Sequence, residues 1–414
     1  MEEWKKYKIG DLCSISSSKR IFAKEYQSSG VPFFRGKEII EKQKGESIST
    51  ELYISRSRYD EIKIKYGVPK EGDMLLTSVG TLGIPYIVKN ENFYFKDGNL
   101  TWFSAFKGLN SKFLYYWFLS PIAKNAIEAK AIGSTQKALT IDTLSKFEIN
   151  LPDIDTQNRI ASILSFIDDK IELNRRINDN LEQQAQALFK SWFVDFEPFK
   201  EGKFVESELG MIPESWRVCS AETIFKINIG KTPPRKEQQW FSNINNGNVK
   251  WISISDLGSN EIFIEDSKEY LTKEAISKFN IIVVPEDTIL VSFKLTVGRV
   301  GISNCELTTN EAVARFYLPK SYFREYTYLS LKNYNYARLG STSSIATAVN
   351  SKIIKNMKLL IPPVTIISEF SKRINPLFNA IRIYENEIRN LSKIRNTLLP
   401  ELMSGKLKIN DMNN

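Results

Sequence analysis

The sequence predicts an α+β protein in which two similar globular modules sit at opposite ends of an antiparallel pair of long helices, a coiled coil with a pseudo-twofold internal repeat. Three observations carry this expectation. A block of the chain recurs at a fixed offset, its most regular part shows heptad spacing of apolar residues, and the segments outside it alternate short β-rich runs with turn residues.

The repeat comes first because it organises everything else. Pro152 closes "FEINLP" and Pro362 closes "MKLLIP" 210 positions later, and the offset holds without a gap from Ala138/Ala348 to about Phe193/Met403. Upstream the match loosens. "VPFFRGKEI" sits where "VKWISISDL" sits, "VPKEGDMLLTSVGTLG" parallels "VPEDTILVSFKLTVG", and "GSTQKALT" corresponds to "GSTSSIATAVN". The resulting order is module, helix, module, helix. It places a first module at 1–151, a first long helix at 152–197, a second module at 198–361, and a second long helix with its tail at 362–414.

Steps of seven from Ile160 and from Leu164 trace the seam of the first helix through Ile167, Ile171, Asn174, Asn178, Leu181 and Leu188. The copied positions are Phe370, Ile374, Leu377, Ile381, Ile388, Leu391 and Leu398. Each helix should run roughly 38 residues, or ~57 Å at 1.5 Å per residue. Prolines bound them at Pro152, Pro198 and Pro362-Pro363, and Pro400 should kink or end the second. Because the second module joins the far end of the first helix and feeds the start of the second, the helices should run antiparallel. Asn174 and Asn178 are either register-setting polar residues or solvent-facing ones where the seam opens.

The modules read as mixed. "DMLLTSVG", "PYIVKN", "VKWISIS", "TILVSF" and "AVARFYL" are strand-like, and "SKFLYYWFLSPIAKNAIEAKAI" is helical.

Composition excludes a good deal of chemistry. Histidine is absent, which removes His-based acid–base catalysis, Ser-His-Asp triads and nearly all zinc sites. Three scattered cysteines (Cys13, Cys219, Cys305) make neither a disulfide framework nor a metal site. No apolar run approaches the ~18 residues of a membrane span, and the first residues lack a signal-peptide pattern, so a cytoplasmic protein without membrane attachment is expected. The 57 Lys and Arg against 48 Asp and Glu leave a net charge of +9, which suits a polyanionic partner.

Motifs that suggest catalysis fail on context. Pro152-Asp153 followed by Asp168-Asp169-Lys170 has the residue order of a PD…(D/E)xK nuclease, yet the latter three fall on a helix between Ile167 and Ile171 and should point outward. The second copy replaces Asp153, Asp168 and Asp169 by Pro363, Phe378 and Asn379. "NIGKTPP" lacks the first glycine of a Walker A loop, having Phe225 there, and prolines stand where the helix should begin. What remains are basic and hydroxyl clusters in loops. Module one offers Arg35, Lys37, Arg56, Arg58, Tyr59, Thr77, Ser78, Ser134, Thr135, Gln136 and Lys137. Module two offers Lys231, Arg235, Ser253, Ser255, Ser292, Lys294, Arg299, Ser341, Thr342 and Ser343. Arg pairs bidentately with guanine, Gln with adenine, and Ser, Thr and Lys hold phosphate.

"LPDIDTQNRIASILSFIDDKIELNRRI", "LFKSWFVDFEPF", "ELGMIPESWRV" and "LLPELMSGKL" resemble the conserved regions of the specificity (S) subunit of type I restriction-modification enzymes, and the likeness covers essentially the whole chain. The resemblance implies a non-catalytic DNA-recognition subunit whose modules are target recognition domains, each reading half of a bipartite site in double-stranded DNA. It implies two modification (methyltransferase) subunits carrying S-adenosylmethionine, and restriction subunits using ATP and Mg²⁺, as partners. No cofactor would be bound by this chain itself. The competing expectation is a self-contained DNA-modifying or cleaving enzyme of a type II-like system.

Overall fold

The computed structural model describes residues 4–45, 48–49, 51–130, 138–258, 261–339 and 349–407. The chain divides into two compact units, Met1–Leu173 with Ile388–Asn414, and Asn174–Glu387. Both long helices are unbroken 40-residue elements, Ile154–Phe193 and Val364–Met403, and each gives a segment to both units.

The first long helix starts where Asp153 accepts the Thr156 backbone N–H at 2.9 Å and the Thr156 hydroxyl at 2.7 Å. A carboxylate that satisfies a first-turn N–H also meets the positive end of the helix dipole. Asp153 is therefore a helix cap. The second helix passes through Pro400 and ends at Met403, followed by Gly405 at φ +70°, so Pro400 does not terminate it.

Within each unit the helix segments run antiparallel. In the second unit Phe189 and Trp192 pack edge-on or tilted against Phe370, while Asn174 reaches Glu387. In the first, Arg395 pairs with Asp168, and Leu399, Leu402 and Met403 share a core with Ile160, Ala161 and Leu164. Ile160, Leu164, Ile167, Ile171, Phe370, Ile374 and Ile381 are buried, whereas Leu181, Leu188, Leu377, Ile388, Leu391 and Leu398 are only half-buried. Their neighbours Phe189, Phe378 and Leu399 are the buried ones. A strict step of seven loses ~20° per heptad against a straight 3.6-residue helix, so the buried stripe moves on by one position. Asn174 is wholly buried and donates to Glu387 Oε2 at 2.9 Å, so it does not face solvent.

Each module repeats one strand plan. In module one the strands Ser14–Ser16, Leu100–Ser104, Met74–Thr77 and Pro85–Ile87 lie side by side in that order. A second four-stranded sheet runs Tyr26–Gln27, Tyr53–Ile54, Val31–Phe34, Tyr94–Phe95. In module two Lys226–Ile229, Val313–Tyr317, Ile289–Ser292 and Val300–Ser303 repeat the first order, with Phe263–Ile264 added at the edge. Phe241–Ser242, Tyr270–Leu271, Val249–Ile252 and Thr308–Thr309 repeat the second. The parallel pairing within the second sheet recurs too, Phe33 beside Tyr94 and Trp251 beside Thr308. Each module closes on the strand that leads into its long helix: Lys5–Lys8 pairs with Glu148–Leu151, and Arg217–Ser220 with Lys358–Ile361.

Modules are fastened to helix segments by apolar burial and by polar clamps that the two copies do not share. In the first unit Tyr116 Oη and Arg395 Nη1 both donate to Asp168, each at 2.8 Å, and buried Gln157 accepts the Asn110 backbone N–H at 3.0 Å. Asp168 thus faces the module and the second helix, correcting its outward placement. In the second unit buried Glu325 accepts from Arg324 (2.6 Å), Ser371 (3.1 Å) and Asn375 (3.2 Å), while Glu385 accepts the backbone N–H groups of Ile262 (2.6 Å) and Phe263 (3.0 Å). Replacing Glu325 by Ala leaves Arg324 buried without that partner. We expect a loss of about 3–5 kcal/mol in urea unfolding of the full chain; a loss under ~1 kcal/mol contradicts the clamp.

Candidate nucleic-acid interface

The candidate interface in each module is a corner where one sheet's strand end meets the other sheet's hairpin. In module one the strand Val31–Phe34 runs into a helix, Gly36–Lys44, that Glu38 caps by accepting the Arg35 backbone N–H at 2.8 Å. In module two the strand Val249–Ile252 runs into a turn where Asp256 accepts the Ser253 backbone N–H, also at 2.8 Å. The same device, a carboxylate three residues on, shapes both exits.

The facing hairpin is equally matched. The Thr77 hydroxyl accepts the Ile84 N–H at 2.9 Å, and the Ser292 hydroxyl accepts the Arg299 N–H at 3.0 Å. Gly83 and Gly298, both at positive φ, donate back to the carbonyls of Thr77 and Ser292 at 2.8 and 2.9 Å. These hydroxyls are hinges of a tight turn. Thr77, Ser78 and Ser292 are buried, and Ser78 shares a 2.5 Å hydrogen bond with Thr101, so none of the three is placed to reach a base. Tyr59 is likewise 2% exposed in a core with Phe33, Ile54 and Ile62, and burial raises its phenol above the usual range. These four expectations are corrected for one reason: a polar residue on a strand or amphipathic helix is as easily an internal hydrogen-bonder as a surface one.

The remaining candidates are accessible to different degrees. Arg35 is half-buried and forks onto Glu38 at 2.6 and 3.2 Å. Arg58 bridges Glu25 at 3.0 Å and Glu61 at 2.7 Å. Arg56 pairs with Asp60 on the helix surface, and Lys37 lies 3.9 Å from Glu41. In module two Arg235 lies over the touching rings of Phe241 and Trp251, 4.5 Å from each centroid, with both terminal nitrogens on Glu269. Lys231 donates to the carbonyls of Phe279 and Asn280, and Arg299 to that of Ile254. Ser134, Thr135, Gln136, Lys137, Ser341, Thr342 and Ser343 lie outside the described residues.

Ser253, Ser255 and Lys294 come together at the module-two corner, around a cleft of about 1030 Å³. Its floor is apolar and buried (Phe293, Ala312, Val349), and its rim adds Leu295, Asn310, Glu311 and Asn350, which sequence reasoning missed. The corner thus offers hydroxyls, a cation, a carboxylate, amides that donate and accept, and aliphatic side chains (Ile229, Ile254, Val297), with Leu295 the exposed one at the tip. That mixture suits base edges and phosphates.

No nucleophile is offered by Cys13, whose thiol burial pushes up to about 12. Among the described residues no group of three or more carboxylates or cysteines is placed to hold a metal ion. None of the described helices is long and apolar enough to cross a membrane.

The model of the type I restriction modification DNA specificity domain matches this chain twice, over residues 1–183 and 213–393. The chain belongs to that family. The two matches fall on the two copies of the strand plan. The type I restriction enzyme MjaIX specificity subunit of Methanocaldococcus jannaschii is 29% identical, with 99% of this chain and 95% of that one aligned. The HindI specificity subunit of Haemophilus influenzae is 25% identical over 98% of this chain and all of its own. The crystal structure of the S subunit from M. genitalium shares the fold, with a TM-score of 0.58 at 17% identity over 97% of this chain and 96% of the other. Specificity subunits recognise and do not catalyse, so Asp153 and Asp168 act as cap and clamp.

Substituting Thr77 by Val or Ser292 by Ala should cost about 0.5–1.5 kcal/mol in denaturant unfolding, because a half-buried N–H loses its acceptor. The methylated DNA motif of cells carrying either variant should stay the same; an altered motif at unchanged stability would make these residues readers.

Proposed function

We propose that this chain is the sequence-reading subunit of a type I restriction-modification complex, each module reading one half of a bipartite site in duplex DNA. One observation carries the reading: the same strand order, carboxylate-shaped strand exit and hydroxyl-hinged hairpin recur in both modules, while the residues on the corners differ. A repeated scaffold with unlike corners is what two different half-sites require. The net charge of +9 supports phosphate binding.

The two long helices are the element suited to set the spacing between half-sites. A 40-residue helix spans ~60 Å, between one and two turns of duplex at ~34 Å per turn. Two modification subunits would dock along the helices and bring S-adenosylmethionine; restriction subunits would bring ATP and Mg²⁺. The chain would work in the cytoplasm, where the host DNA is. A self-contained type II-like enzyme is not favoured by any observation.

Exchanging residues 1–151 for the matching module of another family member, in cells that supply the modification subunits, should change one half of the methylated motif and leave the other half and the gap unchanged. A change in both halves contradicts independent reading. The purified chain, given Mg²⁺ and S-adenosylmethionine, should neither cut nor methylate DNA, and either activity on gel or mass spectrometry would restore the enzyme reading.

A further inference from the structure

The hairpins that close the two corners differ at their tips. Aligned on Thr77 and Ser292, module one has Gly80 at φ +79° with open space where a Cβ would stand, and module two has Leu295 at φ +57°. Left-handed backbone suits glycine and penalises a bulky L-residue. Leu295 is also 97% exposed, an aliphatic side chain with almost no protein contact. A lone exposed leucine is ordinary on a protein surface. One held in a disfavoured conformation, where the twin module keeps glycine, is not, because no packing in the folded chain offsets the strain. Strained residues of this kind collect at sites that hold a ligand.

Its surroundings indicate which ligand. Leu295 stands on the rim of the module-two cleft beside Lys294, Ser253, Ser255 and Asn310. At the rim the anchor is joined by these hydrogen-bonding groups and by charges of both signs, Lys294 and Glu311, while Ile229, Ile254 and Val297 add apolar lining to the cleft. A base pair in the major groove presents the complementary set, donors and acceptors with one apolar feature, the thymine C5-methyl.

We propose that Leu295 is a specificity-determining residue of module two that packs against the C5-methyl of a thymine in the second half-site. This rests on the DNA-reading function proposed above. Module one, with Gly80 at the equivalent tip, has no such contact there.

The test uses the full chain assembled with its modification subunits and a duplex carrying the motif methylated in its host. Each thymine of the half-site read by module two is replaced in turn by deoxyuridine, which removes only the methyl group. Binding of the wild-type complex should weaken roughly fourfold at one position, the factor for one buried methyl at ~0.8 kcal/mol. With Leu295→Asn, which relieves the left-handed strain, and with Leu295→Gly, affinity for the thymine duplex should fall by at least that factor, and the uridine effect should vanish. Melting temperatures of both variants should equal or exceed the wild type, which a structural role for Leu295 would not permit. If the variants bind the thymine duplex like wild type, or remain sensitive to uridine at the same position, the proposal is overturned and DNA reading stands. If wild type shows no preference for the motif over an unrelated duplex, DNA reading itself fails, and the proposal with it.

Discussion

What the corners can present depends on how firmly each module is fastened to its long-helix segments. Apolar burial supplies most of the fastening. Phe193 alone meets Trp216, Tyr326 and Phe370 within 6 Å between ring centroids, and a fully buried side chain of this size is worth roughly 1.5–3 kcal/mol. Apolar contact has little directional preference, however. Orientation comes from the buried polar clamps, where a small rotation would strand a charge or a backbone N–H away from water. Asp168 with Tyr116 and Arg395, and Glu325 with Arg324, Ser371 and Asn375, therefore act as alignment devices.

The clamps also explain why the repeat is not a symmetric duplication in detail. At the fixed offset Asp168 is matched by Phe378, and Ser371 and Asn375 by Ala161 and Ser165. The apolar stripe and the strand order are kept, and the polar locks are rebuilt separately in each copy. Modules with unlike surfaces need individual locks because their inner loops differ, as the added edge strand Phe263–Ile264 shows. Glu385 takes the N–H of Phe263 at the start of that strand and that of Ile262 just before it, so the lock fits the insertion.

Much of this was legible in the sequence, and the rest failed for physical reasons that can be named. The offset between Pro152 and Pro362 revealed the repeat, both helices and the strand runs, because periodicity and turn residues are local signals. Burial along the helices was misplaced by one position at Leu188, Leu377 and Leu398, since a rigid step of seven ignores the drift of a straight helix. The role of Asp168 was invisible, as its partner Arg395 lies 227 residues away. The sequence places Thr77, Ser78, Ser292 and Tyr59 among the candidate readers because a hydroxyl in a loop-like string carries no mark of burial. Leu295 was passed over because leucine does not advertise a positive φ; its alignment with Gly80 was the available signal.

The most direct test of the account is the methylated motif of host DNA, read by sequencing with the gene intact and deleted. The account predicts a motif of two short specified segments separated by a fixed unspecified gap, lost on deletion and restored by complementation. A contiguous motif, or a bipartite one that persists without the gene, would contradict it.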